Sequence, residues 1–179
     1  MTQKEIDKLK DKMRKAVGIS FDAIFKSMQL LNYTVLFPYF DFDKPDMIQF
    51  NERITSYDNA CVENKATFYR EVLRLKDEYN FDVVKSAKEF PTRAMIQIVG
   101  KKFKRKEEWL LARKMTTDAV TVVLTICAHE LTTNWGKGAE DLAFYWEKLK
   151  ENAMNYANGM DNEFVQQYFR DYADLDITD

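Results

Sequence analysis

Apolar residues recur at intervals of three and four along most of the chain, a spacing that places them on one face of an α-helix. The strongest case lies between Val120 and Leu131, where most positions are apolar, as is typical of a helix buried on nearly all sides. Only five Gly and three Pro among 179 residues interrupt this pattern. We therefore predict an all-α fold, a single compact bundle of seven or eight helices.

The individual helices are predicted from the apolar spacing and from the caps and turns between them. They are Gln3–Val17, a helix capped by Ser20 with Leu31 on its apolar face, one or two helices from Pro45 to Tyr79 with any break near Asn59 or Asn64, Phe81–Phe90 capped by Asn80, Pro91–Gly100, Lys104–Thr133, Ala139–Ala157 and Asn162–Tyr172. Turns are predicted at residues 134–138 and 158–159.

The helical spacing is lost over residues 33–43, where β-branched and aromatic residues surround Pro38. We expect a short, aromatic-rich extended connector there, because proline removes a backbone donor and limits regular structure. This connector divides the chain into an N-terminal helical hairpin and connector over residues 1–44 and a main helical bundle over residues 45–179. One continuous core is expected for the bundle.

One His and two Cys restrict the metal and redox chemistry that the chain can support. A zinc-protease motif or a zinc finger of the Cys2His2 type needs at least two imidazoles. Cys61 and Cys127 are far apart in sequence, so we expect buried free thiols rather than a redox or metal centre. His129 lies near the end of a predicted helix, where the helix dipole favours a structural role. We predict no catalytic residue, metal site or cofactor, and hence a protein that is not an enzyme.

The beginning of the chain lacks the apolar segment of a signal peptide. The longest apolar stretch, from about Val120 to Ile126, is too short to cross a bilayer. We expect a cytoplasmic protein without a membrane partner.

The net charge of −2 conceals two oppositely charged segments. Between Lys85 and Lys114 there are ten basic residues and three acidic ones, a net charge of +7. From Glu140 to Asp179 there are ten acidic residues and three basic ones, a net charge of −7. A basic run followed by an aromatic residue is typical of a surface that binds phosphates and stacks on bases, although solvated helix faces are the simpler interpretation of either segment.

Residues 82–99 resemble a helix-turn-helix, with an inward Ala87 on a short first helix and with Arg93 and Gln97 on the second. In that motif the second helix enters the major groove of DNA. The turn with Trp135 and Lys137 is a separate candidate, a protein anchor with a partly exposed indole.

The candidate binding residues form three sets. The nucleic-acid or partner-binding set is Arg93, Gln97, Lys101, Lys102, Lys104, Arg105, Lys106, Trp109, Arg113 and Lys114. The acidic set, which could imitate phosphates toward a basic partner, is Asp161, Glu163, Asp171, Asp174 and Asp176. The anchor set is Trp135 and Lys137.

The last third of the chain carries a resemblance. An apolar helix ends in His129-Glu130, an aromatic-Gly-Lys turn follows at Trp135, an amphipathic helix contains Phe144 and Trp146, and the end is acidic. This order resembles small helical proteins encoded by phages and prophages of Firmicutes. The resemblance implies a phage accessory protein acting in the cytoplasm of a bacterial host.

In that context we expect a non-enzymatic protein that binds a nucleic acid, DNA or guide RNA, or a host nuclease nucleoprotein. The favoured function is inhibition of a host defence nuclease, similar in kind to anti-CRISPR proteins with a Cas9-type target. A DNA-binding phage regulator or replication accessory is the first alternative. A structural or assembly module without nucleic-acid binding is the second, and a homodimer is a further open expectation.

Overall fold

The computed structural model describes residues 25, 27–91, 94, 106–158 and 162–173. Across these residues the regular elements are helices, and no strand occurs among them, which confirms the prediction of an all-α bundle. The helices are α1 over 27–39, α2 Lys44–Glu63, α3 Lys65–Tyr79, α4 Val83–Glu89, α5 Lys106–Thr133, α6 Ala139–Ala157 and α7 Asn162–Ala173.

The break between α2 and α3 falls at Asn64, one of the two predicted positions. The backbone N–H of Asn64 donates to the Ala60 carbonyl at 3.0 Å and closes α2. Its side-chain oxygen accepts from the backbone N–H of Ala66 at 3.1 Å and caps α3. One residue therefore serves both helices, and the chain turns without a longer loop.

The predicted extended connector over residues 33–43 is wrong, because α1 continues through residue 39 and only residues 40–43 leave the helix. Helix termination coincides with Asp41, which takes a left-handed φ of 56°. Tyr33, Val35 and Leu36 are buried. Their packing outweighs the local preference of β-branched and aromatic residues for extended structure.

The predicted cap of the helix after residue 80 is also wrong. Asn80 instead ends α3 in a left-handed conformation with φ 53°, and the backbone N–H of Phe81 donates to the Leu75 carbonyl at 3.0 Å. Asp82 caps α4, since its side chain accepts from the backbone N–H of Lys85 at 3.0 Å. The helix therefore begins two residues later than predicted.

The central element is α5, which packs against α2, α3 and α4. Its second half is buried, as the apolar run from Val120 to Leu131 predicts. Residues on both sides of residue 44 join the same core cluster. Tyr33 of α1, for example, packs edge-on against Phe169 of α7 with ring centroids 6.0 Å apart.

Four predicted helices remain to be compared with the structure. The helix Ala139–Ala157 is confirmed with both predicted bounds, and the last helix ends one residue later than predicted, at Ala173. The predicted helices Gln3–Val17 and Pro91–Gly100 lie outside the described residues, apart from Pro91, which is not helical, and Ala94, which is helical and buried.

Candidate functional site

The first half of α5 presents a basic face to solvent. Lys106, Arg113 and Lys114 are exposed and lie within one side of the helix by their spacing, with Leu110 between them. The side chain of Leu110 is 52% exposed. None of the three basic side chains forms an ion pair with a residue that the structure describes. We call this surface the α5 basic face.

Six further members of the predicted nucleic-acid set lie outside the described residues. They are Arg93, Gln97, Lys101, Lys102, Lys104 and Arg105. Trp109 is half-buried on α5. Of the predicted helix-turn-helix, the first helix is present as α4 with Ala87 fully buried, and the chain leaves that helix at Phe90.

The structure describes two of the five residues of the acidic set. Glu163 and Asp171 are exposed on α7, and a carboxylate oxygen of Asp171 accepts from Gln167 Nε2 at 2.7 Å. Asp161, Asp174 and Asp176 lie outside the described residues.

The anchor residues of the turn after α5 are engaged within the fold. Gly136 takes the left-handed φ of 62° that the turn requires. The Trp135 ring packs on Phe42 with centroids 4.2 Å apart, and its Nε1 donates to Glu130 Oε1 at 3.1 Å. Lys137 Nζ lies 5.3 Å from the centroid of the Phe40 ring. Both side chains therefore help to join the turn to the α1–α2 connector.

A buried charged cluster, which the sequence analysis did not predict, joins α2, α3 and α5. Glu71 is only 6% exposed, and both of its carboxylate oxygens accept from Arg74 at 2.7 to 3.1 Å. Arg74 Nη2 also donates to Thr132 Oγ1 at 2.8 Å. The His129 ring stacks on Tyr57 with centroids 3.6 Å apart and planes 7° from parallel. We call these residues the Glu71 cluster.

His129 also contacts the carboxylate of Glu71. Its Nδ1 lies 3.1 Å from Glu71 Oε1, although the N–H does not point along a hydrogen-bond direction to any described acceptor. Burial alone raises the pKa of Glu71, but the contacts from His129 and Arg74 outweigh it and lower the pKa to about 2. The carboxylate is therefore charged and locked to Arg74 at neutral pH.

The contacts of the Glu71 cluster favour a structural role, in which the cluster connects α2, α3 and α5. A carboxylate beside an imidazole can orient a general base, but here the carboxylate is occupied by a guanidinium and the imidazole is covered by Tyr57. Among the described residues, no group of three His, Cys, Asp or Glu side chains is placed to hold a metal ion. One feature of the sequence indicates that Glu71 is buried. Glu71 lies four residues before Leu75, so the two side chains share one face of α3, and Leu75 is buried.

Both cysteines are free and buried, as the sequence predicts. Cys127 accepts from Asn32 Nδ2 at 3.2 Å, and the Tyr145 hydroxyl donates to the side-chain oxygen of Asn32. Burial raises the pKa of the Cys127 thiol to about 12. This second polar cluster ties α1 to α5 and α6 inside the core.

Comparison with protein-family models, curated proteins and solved structures finds no match to this chain. No helix within the described residues is both long and apolar enough to cross a membrane.

Proposed function

We propose that the protein is a non-enzymatic binding protein whose partner is a nucleic acid or a nucleoprotein, contacted through the α5 basic face. The single observation that carries this proposal is the exposure of Lys106, Arg113 and Lys114 on one side of α5. Between Lys106 and Arg113 the helix rises by about 10 Å, so the face reaches more than one phosphate of a strand.

The availability of these charges supports the proposal. Elsewhere in the described part of the chain, several cations pair with acids, as Lys76 does with Asp82 at 3.1 Å. Among the described residues Lys106, Arg113 and Lys114 have no such acidic partner, so phosphate binding would break no ion pair with those residues. The neighbouring residues Lys101, Lys102, Lys104 and Arg105 would extend the same charge along the sequence.

In the favoured form of the proposal, the target is a host defence nuclease with its guide RNA, and the protein acts by occupying that complex as anti-CRISPR proteins do. The described members of the nucleic-acid set lie on α5, and the described members of the acidic set lie on α7. The α5 basic face would bind a guide or target strand, and the acidic residues of α7 would bind a basic groove of the nuclease.

The test is a salt titration of binding to fluorescein-labelled duplex DNA, with a purified Cas9–guide RNA complex as a parallel bait. Arg113→Ala/Lys114→Ala is compared with Lys65→Ala/Arg70→Ala, a matched pair of exposed cations on α3. We expect the α5 pair to lower the slope of log K against log salt by about 1.8, since each lost phosphate contact removes about 0.9. The α3 pair should leave the slope unchanged.

Salt-dependent binding of naked DNA would favour the regulator or replication accessory, and capture by the nucleoprotein without DNA binding would favour the inhibitor. In the second case the bait replaces the duplex in the comparison of the two variant pairs. Absence of binding to either probe, or equal effects of the two pairs, would refute the proposal.

A further inference from the structure

The solvent side of α3 carries two large apolar side chains. Tyr69 is 64% exposed and Leu73 is 59% exposed, values that only Val62 exceeds among the exposed large hydrophobic residues of the described chain. A spacing of four residues places Tyr69 and Leu73 on one face of the helix, on the side away from the buried Glu71. Apolar side chains grouped on one helix face are typical of an interaction surface. Together with the charged residues beside them they form a surface that we call the α3 face: Tyr69, Arg70, Leu73, Lys76 and Asp77.

Two charges of opposite sign lie along one edge of the α3 face. Arg70 and Asp77 are exposed, and neither forms an ion pair with a residue that the structure describes. The guanidinium of Arg70 donates within its own helix to the Ala66 carbonyl and to Thr67 Oγ1, both at the long distance of 3.4 Å. Arg70 and Asp77 are two helical turns apart, about 10 Å along the axis, with Leu73 midway between them. Each charge can therefore pair with a partner of opposite sign.

The order of these residues is self-complementary. In an antiparallel pair of α3 helices whose two-fold axis lies near Leu73, Arg70 of each copy is level with Asp77 of the other. The two Leu73 side chains then meet close to the axis, and Tyr69 of each copy packs farther out on the facing helix. A parallel pair would instead place Arg70 beside Arg70 and Asp77 beside Asp77, and these like charges would repel.

The lysines of α3 near this surface are compatible with the antiparallel register. Lys76 pairs within its own copy with Asp82 at 3.1 Å. The two helices overlap over residues 68–79, so Lys65 lies beyond the contact. Neither lysine therefore opposes the pairing.

We infer that α3 forms the interface of a homodimer, in which a second copy of the chain packs antiparallel on the α3 face. Leu73 and Tyr69 supply the apolar contact, and two reciprocal pairs of Arg70 with Asp77 fix its direction and register. One pair of helices is a small interface, so we expect a weak dimer with a Kd in the micromolar range. No residue of the α5 basic face takes part, and the dimer does not depend on nucleic-acid binding.

The test is sedimentation equilibrium of the full chain, from low micromolar to submillimolar concentration. Leu73→Ser should raise the dimer Kd at least about tenfold, because both copies lose their central apolar contact. Arg70→Asp or Asp77→Arg alone should also raise the Kd at least about tenfold, since each places like charges together at both ends of the interface. The exchange Arg70→Asp/Asp77→Arg restores opposite charges and should return the Kd to within about threefold of the wild-type value.

Two matched controls lie on α2. Ile48→Ser removes another exposed apolar side chain, and Glu52→Arg reverses another exposed charge. Neither control should change the dimer Kd. Circular dichroism melting of each variant verifies that it is folded, as expected for substitutions of exposed residues.

Amide chemical shifts recorded on dilution locate the interface. Changes centred on residues 68–79 support the inference. A monomer at every concentration, changes centred elsewhere, equal effects of Leu73→Ser and Ile48→Ser, or failure of the charge exchange to restore the dimer would overturn it. Lys65→Ala/Arg70→Ala should also weaken the dimer, while leaving the phosphate contacts of the α5 basic face in each copy unchanged.

Discussion

Asn152 of α6 donates from Nδ2 to the main-chain carbonyl of Thr34 at 3.1 Å, across 118 positions of sequence. In a regular α-helix this carbonyl would accept a hydrogen bond from the backbone N–H of residue 38. Residue 38 is proline, which has no backbone N–H. The same amide nitrogen also lies 2.9 Å from Thr34 Oγ1. A side chain from a distant helix therefore satisfies the acceptor that Pro38 leaves free, and α1 continues past it.

Replacing Asn152 by Ala should destabilise the fold by about 1–2 kcal/mol, because a partly buried carbonyl loses its donor. In a Pro38→Ala background, residue 38 regains an N–H and the cost of Asn152→Ala should fall. Urea denaturation of the four proteins of this cycle measures both values. Asn155→Ala, an exposed asparagine on the same helix, serves as the control. Equal costs of Asn152→Ala in the two backgrounds would contradict the assignment.

Stability should decrease with acid in a way that Glu71 controls. The pKa of Glu71 is lowered from 4.5 to about 2 in the folded protein, so the unfolded state binds more protons between these two values. The stabilisation is present above pH 4.5 and is lost as the pH falls toward 2. Its upper bound is about 3.5 kcal/mol, since one pKa unit corresponds to about 1.4 kcal/mol.

Glu71→Gln should remove this part of the pH dependence and lower the stability at neutral pH, because Arg74 loses its charged partner. Urea denaturation between pH 2 and pH 7 measures the difference. Glu52→Gln, an exposed residue of α2, should keep the wild-type slope. An unchanged slope in Glu71→Gln would show that the acid sensitivity arises elsewhere.

His129 should be one of the groups that lower the pKa of Glu71. His129→Phe keeps an aromatic ring for stacking on Tyr57 but removes the nitrogen that lies 3.1 Å from the carboxylate. We expect the pKa of Glu71 to rise above its wild-type value in this variant, measured by carbon-13 NMR titration of the side-chain carboxyl. Thr132→Val tests the neighbouring contact from Arg74 and should shift the pKa less. A pKa of Glu71 unchanged by His129→Phe would assign the lowering to Arg74 alone.

Local signals were sufficient for much of this fold. Helix α6 was predicted with both of its bounds because Gly138 precedes it and its apolar spacing is regular. The break at Asn64 was likewise visible, because asparagine can cap a helix through its own side chain.

The features that escaped prediction depend on residues far apart in sequence. Helical structure across Pro38 requires Asn152, and the burial of Glu71 requires a partner on α5 as well as Arg74. A single sequence contains no local signal for such pairings, whereas the exposure of Arg113 and Lys114 follows from the helical spacing of α5.

The two cysteines should differ in their reaction with a thiol reagent. Burial raises the pKa of both thiols, that of Cys127 to about 12, but Cys127 is fully buried whereas Cys61 keeps 6% of its surface exposed. Because the thiolate is the reactive form, we expect Cys61 to be modified first in the native protein at pH 8 and Cys127 only after the core opens.

Mass spectrometry of peptides after timed alkylation distinguishes the two sites. Both cysteines should react at similar rates in denaturant, which controls for intrinsic reactivity. Asn32→Ala removes a donor to the Cys127 sulfur and a partner of the Tyr145 hydroxyl, so it should accelerate labelling of Cys127 while leaving Cys61 unchanged. Labelling of Cys127 at the rate of Cys61 in the native wild-type protein would mean that the contacts among α1, α5 and α6 open far more often than their complete burial implies.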